Sequence, residues 1–201
     1  MKREYFLDIH PPLGKLLLAA VGSFFGYDGS FSFSKTGLSY EDSNVPYVGL
    51  RSFPALCGAL MVVVVYSLLI EMKFSVSVAV LAACMVAFGN DSNFLLPFLS
   101  CFRLDNGFTT SSRFISVDSQ LLFFMITACF CWSKFRSRTN SPFTLGWWFW
   151  LSATGVCLGS AMGVKYIGFF VTAIIGLCTV YDLWDVSGVK KTPKHVKMII
   201  I

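Results

Sequence analysis

Residues 5–34, YFLDIHPPLGKLLLAAVGSFFGYDGSFSFS, join a polar, proline-stiffened segment to an apolar run of only twelve residues, 16–27. A helix that crosses a bilayer needs about twenty apolar residues, so this run is too short to span one. It predicts instead a helix that lies on a membrane surface or against other helices. Pro12 suits the first helical turn, and Pro11 keeps the preceding chain extended. We therefore expect a loop held at the membrane boundary, with its ionisable groups on the aqueous side.

The composition indicates that lipid surrounds most of the chain. Of the 201 residues, 55% are hydrophobic and 13% are charged, and the mean hydropathy is +0.68. Soluble domains carry about 25% charged residues, roughly twice this share. Apolar runs recur along nearly the whole length. The expected fold class is an all-α polytopic membrane protein.

The net charge of +5 follows the pattern of a membrane protein. Seven of the 16 Lys and Arg residues fall in two clusters, at 134–138 and 190–197, and such clusters beside apolar runs mark the cytoplasmic side. No nucleic-acid partner is expected. The cysteines mostly lie within apolar segments, without the spacing of a metal site, so neither disulfides nor a metal are expected.

Five transmembrane spans are predicted from the apolar runs between charged turns. Residues 89–104 would either lengthen the second span or form a luminal loop, and periodicity does not decide between the two. The spans are placed at about 52–70, 75–88, 114–132, 146–164 and 166–181. The expected organisation is a luminal loop with an interfacial helix at 1–45, a transmembrane module at 46–185 and a basic cytoplasmic tail at 186–201.

Proline, tryptophan and glycine give the spans further expected features. Pro54 is placed in the first turn of the first span, where a missing N–H is tolerated. Trp147, Trp148 and Trp150 are expected to form an aromatic belt at the membrane interface. Small residues are expected to permit close helix packing along spans four and five, at Gly155, Gly159, Gly163 and Gly168.

Ionisable residues gather on the predicted luminal side. Such groups are costly at membrane depth unless they are paired or line a wet cavity. Two interpretations stay open: boundary ion pairs, with Arg113 and Asp118 capping a helix start, or a pocket for an anionic headgroup in which arginine binds phosphate. The candidate residues are Asp8, His10, Lys15, Asp28, Arg51, Arg113, Asp118 and Lys165.

Short motifs occur in a fixed order from residue 8 to residue 184. They are DIHPPLGK (8–15), GYDG (26–29), VPYVGLR (45–51), FPALCGA (53–59), SRFISVDS (112–119), PFT (142–144), WW (147–148), GVKYIG (163–168) and DLW (182–184). This set resembles the protein O-mannosyltransferase family, whose members transfer mannose from dolichyl phosphate mannose to serine and threonine in the endoplasmic reticulum. The intact HPPLGK segment is more similar to the type 2 animal branch.

The resemblance implies a GT-C glycosyltransferase fold in the endoplasmic reticulum membrane, with a luminal active site and inverting transfer. It implies that the donor phosphate binds near Arg51, helped by Arg113, and that the first luminal loop shapes the site. The implied partners are dolichyl phosphate mannose, Ser/Thr-containing acceptor proteins and a related mannosyltransferase in a dimer, with no cofactor. The expected substrate-binding residues are Asp8, His10, Lys15, Arg51, Arg113 and Asp118.

The chain also departs from the family's pattern. By the resemblance, the catalytic aspartate–glutamate pair belongs upstream of Asp8, so the catalytic residues are unknown and the chain is expected to be a partial, inactive form. Residues 89–104 resemble an insertion. The alternative is a non-catalytic truncated subunit that pairs with a full-length relative. A transporter fragment is a weaker alternative, because no internal repeat is present.

The predicted topology is tested by protease protection in sealed microsomes. We expect cleavage at 134–138, on the cytoplasmic surface, and protection of the loop at 35–45, because the membrane separates these two segments. Detergent should expose both segments to the protease. Protection of 134–138 together with cleavage at 35–45 would refute this orientation.

Overall fold

The computed structural model describes residues 10–31, 45–88, 114–138 and 141–186. Regular structure within these ranges consists of α-helices. They are α1 (Leu13–Phe24), α2 (Tyr47–Glu71), α3 (Val76–Phe88), α4 (Asp118–Ser137), α5 (Leu145–Val164) and α6 (Gly168–Val186). The predicted insertion at 89–104 and residues 187–201 of the predicted basic tail lie outside the described residues.

The ends of α1 follow from its sequence. It begins at Leu13, three residues before the apolar run, because Pro12 precedes the first turn and its carbonyl oxygen accepts from the N–H of Leu16 at 2.9 Å. At the other end, Gly26 has a φ of +80°. The N–H of Tyr27 then reaches the Gly22 carbonyl oxygen at 2.9 Å, which is the bonding pattern of a glycine-terminated helix. The GYDG motif is therefore the stop signal of α1.

Helix α2 is the one helix in the described part of the chain that is both long and apolar enough to cross a membrane. Its 25 residues span about 38 Å at 1.5 Å per residue. One such helix alone is weak evidence for a membrane protein. However, Val48, Leu56 and Val63 are each more than half exposed on α2. Large exposed apolar surfaces of this kind mark contact with lipid or a partner.

The predicted position of Pro54 was wrong. Helix α2 begins at Tyr47 rather than at residue 52, so Pro54 is buried inside the helix, beyond its first turn. The missing N–H leaves the carbonyl oxygen of Leu50 without its usual intrahelical donor. The earlier start also places Arg51 within the helix instead of before it.

Ion pairs at the two ends of the bundle show how the helices run. Glu71 pairs with Lys134, and Arg136 Nε lies 3.0 Å from Asp182 Oδ2, so the last turns of α2, α4 and α6 meet at one end. At the other end, Asp118 at the start of α4 pairs with Lys165 just after α5. Helices α2, α4 and α6 are therefore parallel, and α5 is antiparallel to them.

Helix α4 packs at the centre of the described helices. Its Leu121 forms a buried cluster with Ala161 and Val164 of α5. Two turns further along, Ala128 forms a second cluster with Leu158 of α5 and Ile175 of α6. Because both clusters lie on one side of α4, that helix holds α5 and α6 together.

The aromatic belt was predicted wrongly at Trp147. This side chain is 2% exposed, and its ring centre lies 5.2 Å from that of Phe135 in the protein core. Trp148 is 50% exposed. Successive residues of a helix point about 100° apart, so two adjacent tryptophans cannot lie on the same face.

The four glycines of spans four and five have two different environments. A Cβ atom at Gly163 would lie 3.0 Å from Leu13, and one at Gly168 would lie 2.7 Å from the backbone of Ala161. Positions 155 and 159 have open space around them. Of these four glycines, Gly163 and Gly168 are therefore the two that close packing requires.

A methyl group at Gly168 is expected to force α6 away from α5. The Gly168→Ala change places Cβ against backbone atoms that cannot rotate away, and overpacking of this kind costs about 1–3 kcal/mol. The thermal midpoint in detergent, followed by tryptophan fluorescence, should fall. Gly159→Ala is the matched control, because alanine there gains helix propensity in open space. Equal midpoints for the two variants would contradict this packing.

Candidate functional site

The start of α1 packs where the start of α4 meets the end of α5. A Cβ atom at Gly14 would lie 3.0 Å from Val117 Cγ1 and 3.1 Å from Val164 Cγ1. Leu13 covers Gly163 in the same way. The absence of side chains on both glycines lets three sequence-distant segments touch.

An ion pair lies directly beside this contact. The Lys165 ammonium donates to Asp118 Oδ1, and the Ser116 hydroxyl donates to Asp118 Oδ2 at 3.0 Å. His10 also interacts electrostatically with the Asp118 carboxylate. We call this group of five residues the helix corner: His10, Gly14, Ser116, Asp118 and Lys165.

The backbone on both sides of the ion pair explains its position. The N–H of Asp118 donates to the Ser116 hydroxyl oxygen at 3.2 Å, so Ser116 fixes the first turn of α4. Lys165 ends α5 in an extended conformation, with φ −151° and ψ 146°. Since α6 begins at Gly168, the connection is too short to carry Lys165 away from the corner.

Arg51 lies on the second turn of α2, whose start is at the same end of the bundle as the corner. Its side chain is exposed, and its guanidinium carbon lies 5.7 Å from the centre of the Tyr47 ring. Within the described ranges no carboxylate pairs with Arg51. Lys165, by contrast, is paired with Asp118.

Helices α1 and α2 enclose an open apolar groove of about 550 Å³. Phe24 and Phe25 at the end of α1 and Phe53 and Leu56 of α2 contribute most of its walls. At the base of the contact, Gly22 of α1 packs against Leu50. The groove offers apolar surface beside the α2 turn that carries Arg51.

Asp28 lies apart from the corner, in the turn after α1. Its Oδ1 accepts from the Ser30 N–H at 3.0 Å and from the Ser30 hydroxyl at 2.7 Å. These two hydrogen bonds hold the pKa of the fully exposed Asp28 carboxyl below its usual value, and the bond from the Ser30 N–H has the larger effect. Asp28 is therefore an ionised turn residue.

The sequence model of the dolichyl-phosphate-mannose-protein mannosyltransferase family matches residues 1–95 and 89–201. The chain belongs to this family. The resemblance expected from the motifs is therefore confirmed. The two matched segments meet at 89–95, within the stretch interpreted above as an insertion.

Named relatives of the family match along most of this chain. It is 37% identical over 188 residues to zebrafish (Danio rerio) protein O-mannosyl-transferase 2, and 38% identical over 191 residues to mouse (Mus musculus) protein O-mannosyl-transferase 1. Each match covers 94% of this chain but only 22% of the zebrafish and 23% of the mouse protein. The chain thus spans about a fifth of the relatives' length, and the type 2 branch stays a prediction.

The fold also matches a solved member of the mannosyltransferase family. The Saccharomyces cerevisiae Pmt1-Pmt2 complex bound to the sugar donor aligns with a TM-score of 0.75 and 34% identity. The alignment covers 94% of this chain and 24% of the solved chain. At this identity, the agreement extends beyond general helical architecture.

The structure brings together some of the residues expected in a mannosyltransferase site and separates others. His10 interacts electrostatically with Asp118 at the corner, and Asp118 pairs with Lys165. Lys15 is exposed on α1 and is not a free cation, because it already interacts with another group. Asp8 and Arg113 lie outside the described residues. The expected capping of α4 by Arg113 stays a prediction.

The sequence alone did not identify Ser116 as a site residue. The signal was present, because a serine two residues before an aspartate at a helix start is typical of a hydroxyl–backbone turn. Its hydroxyl was indistinguishable from the many other serines until the fold placed Lys165 opposite Asp118. In the described part of this chain, no group of three His, Cys, Asp or Glu residues is placed to hold a metal ion.

A valine at position 14 is expected to displace α1 from the corner. Gly14→Val introduces methyl groups between Val117 and Val164, where even a Cβ atom has only 3.0–3.1 Å. We expect a lower thermal midpoint and faster proteolysis near the start of α1. Gly155→Val is the control, because that position has open space. If both variants behave alike, α1 does not depend on this close approach.

Proposed function

We propose that this chain forms the donor-binding part of the membrane module of a dolichyl-phosphate-mannose–protein mannosyltransferase. The reaction is the transfer of mannose from dolichyl phosphate mannose to Ser/Thr hydroxyls of proteins, with inversion at the sugar carbon. The observation that carries the proposal is Arg51, an exposed guanidinium without a carboxylate partner among the described residues, at the end of the bundle that bears the corner.

The proposed role of Arg51 follows from the charge of the leaving group. When the sugar–oxygen bond breaks, dolichyl phosphate departs as an anion, and a guanidinium binds phosphate oxygens through two parallel N–H donors. That contact strengthens as negative charge develops, so it lowers the barrier as well as binding the donor. A carboxylate must also remove the acceptor hydroxyl's proton, and that residue is unknown in this chain.

We propose that α2, α4, α5 and α6 span the endoplasmic reticulum membrane, that the chain crosses back between the parallel helices α2 and α4, and that α1 lies at the luminal surface. The exposed apolar side chains of α5 and α6 support this arrangement, with Phe149 62% and Leu177 73% exposed. The basic cluster at 134–138 lies at the end opposite the corner, as the positive-inside rule requires. The apolar groove between α1 and α2 would then face the donor's polyprenyl chain.

A second candidate function is a non-catalytic subunit that pairs with a full-length mannosyltransferase. One observation favours it: the solved neighbour is a complex of two family members. The open surface around Gly155 and Gly159 on α5 is the packing face that we propose for this pairing.

The test measures mannose transfer in liposomes that contain the whole 201-residue chain. Labelled dolichyl phosphate mannose is the donor, a Ser/Thr-rich peptide is the acceptor, and binding of dolichyl phosphate is measured in parallel. Arg51→Ala should reduce donor binding and any transfer by roughly 100-fold. Arg51→Lys should retain part of the binding, because lysine keeps the positive charge but lacks the two parallel N–H donors of a guanidinium. Arg138→Ala, an exposed arginine at the opposite end, is the control.

The outcomes separate the two functions. Transfer by the chain alone, sensitive to Arg51, supports the enzyme. Donor binding without transfer, with higher transfer when a full-length family member is reconstituted beside it, supports the subunit. If the chain neither binds dolichyl phosphate nor associates with a family member, both proposals are wrong.

A further inference from the structure

We propose that Asp118 and Lys165 are positioning residues: their ion pair sets the separation of α4 and α5 and thereby places the segment before α1 for donor binding. Neither side chain contacts the donor in this proposal. The inference rests on the proposed donor site, and it assigns to Asp118 an indirect role instead of the substrate contact expected from the sequence.

The first step concerns two valine side chains, Val117 and Val164, which pack on either side of α1; we call them the two walls. Gly14 packs between Val117 and Val164, and each valine immediately precedes one member of the ion pair. A change in the distance between Asp118 and Lys165 therefore moves both walls. Because Gly14 has no side chain that rotates to refill the gap, α1 would follow the walls or lose contact.

The second step carries this displacement to the polar segment. Pro11 and Pro12 each fix a backbone φ angle, so the chain before α1 is stiff where a flexible linker would absorb the change. The Pro12 carbonyl also accepts from the Leu16 N–H, which ties the prolines to the first helical turn. His10, two residues before Pro12, interacts with Asp118 itself. Asp118 thus acts on the start of the stiff segment through His10, and the residues beside the ion pair hold its end at Gly14.

The third step is that the ion pair contributes little to the overall stability of the fold, so its effect on positioning is measurable separately. The Asp118 side chain is 44% exposed and that of Lys165 is 25% exposed. Ion pairs that reach solvent add little to global stability, because water screens them. Ser116 nevertheless holds the carboxylate in one orientation. We therefore expect loss of the pair to change local geometry and donor binding while the thermal midpoint changes little.

The experiment uses the whole chain in lipid nanodiscs and dolichyl phosphate as the probe. Asp118→Asn and Lys165→Met should each weaken binding about tenfold, because small misplacements are costly at a preorganised site. The exchanged pair Asp118→Lys/Lys165→Asp restores opposite charges and should bind within about threefold of the wild type. Glu71→Gln is the matched control: it breaks the corresponding ion pair with Lys134 at the opposite end.

A second readout is independent of donor binding. Hydrogen exchange of the backbone amides in the first turn of α1 should accelerate in the two single variants and recover in the exchanged pair. Amides in the middle of α4 should keep their rates, since the effect is local. If a single variant does not fold, the neutral pair Asp118→Asn/Lys165→Met replaces it, with the same expected loss of binding.

The results distinguish this inference from the donor site on which it rests. If the exchanged pair binds as weakly as the single variants while its amide exchange recovers, Lys165 contacts the phosphate directly and the positioning role is wrong. Wild-type binding by Asp118→Asn also overturns it. If the wild-type chain does not bind dolichyl phosphate but Asp118→Asn accelerates exchange in α1, the ion pair holds α1 and the proposed donor site is wrong.

Discussion

The contact of α1 with the ends of α4 and α5 is the constraint on which the rest of the structure depends. Helix axes approach this closely only where a side chain is missing, and Gly14 and Gly163 supply that space. The approach brings a short, proline-led helix to a point where Asp118 and Lys165 already hold two long helices together. Three motifs separated by up to 150 residues thus form one site.

Two cations with the same formal charge acquire different roles from their surroundings. Lys165 faces a carboxylate within its own chain, so its charge is largely satisfied before any ligand arrives. Among the described residues, the charge of Arg51 faces the Tyr47 ring, and an aromatic ring compensates a cation far less than a carboxylate does. The contrast favours Arg51 as the phosphate ligand and Lys165 as part of the scaffold.

The opposite end of the bundle shows how α4 joins its neighbours without forming a site. Lys134 pairs with Glu71 of α2, and Arg136 pairs with Asp182 of α6 while stacking 4.9 Å from the Trp132 ring centre. These bonds hold the parallel helices at equal height. The basic residues Lys134 and Arg136 at this end are thus paired with acids within the chain.

The amino-acid sequence by itself determined the family, the approximate helices and the separation of charges between the two ends, because motif order, apolar run length and charge position are local properties. Tertiary structure alone decided which face each residue presents. Trp147 is buried, and of the four glycines in spans four and five only Gly163 and Gly168 lie at close helix contacts. Ser116 acquired a role only when a lysine 49 residues away met Asp118. Such outcomes depend on how helices rotate about their axes and which neighbours they meet, and a single weakly amphipathic sequence leaves that rotation open.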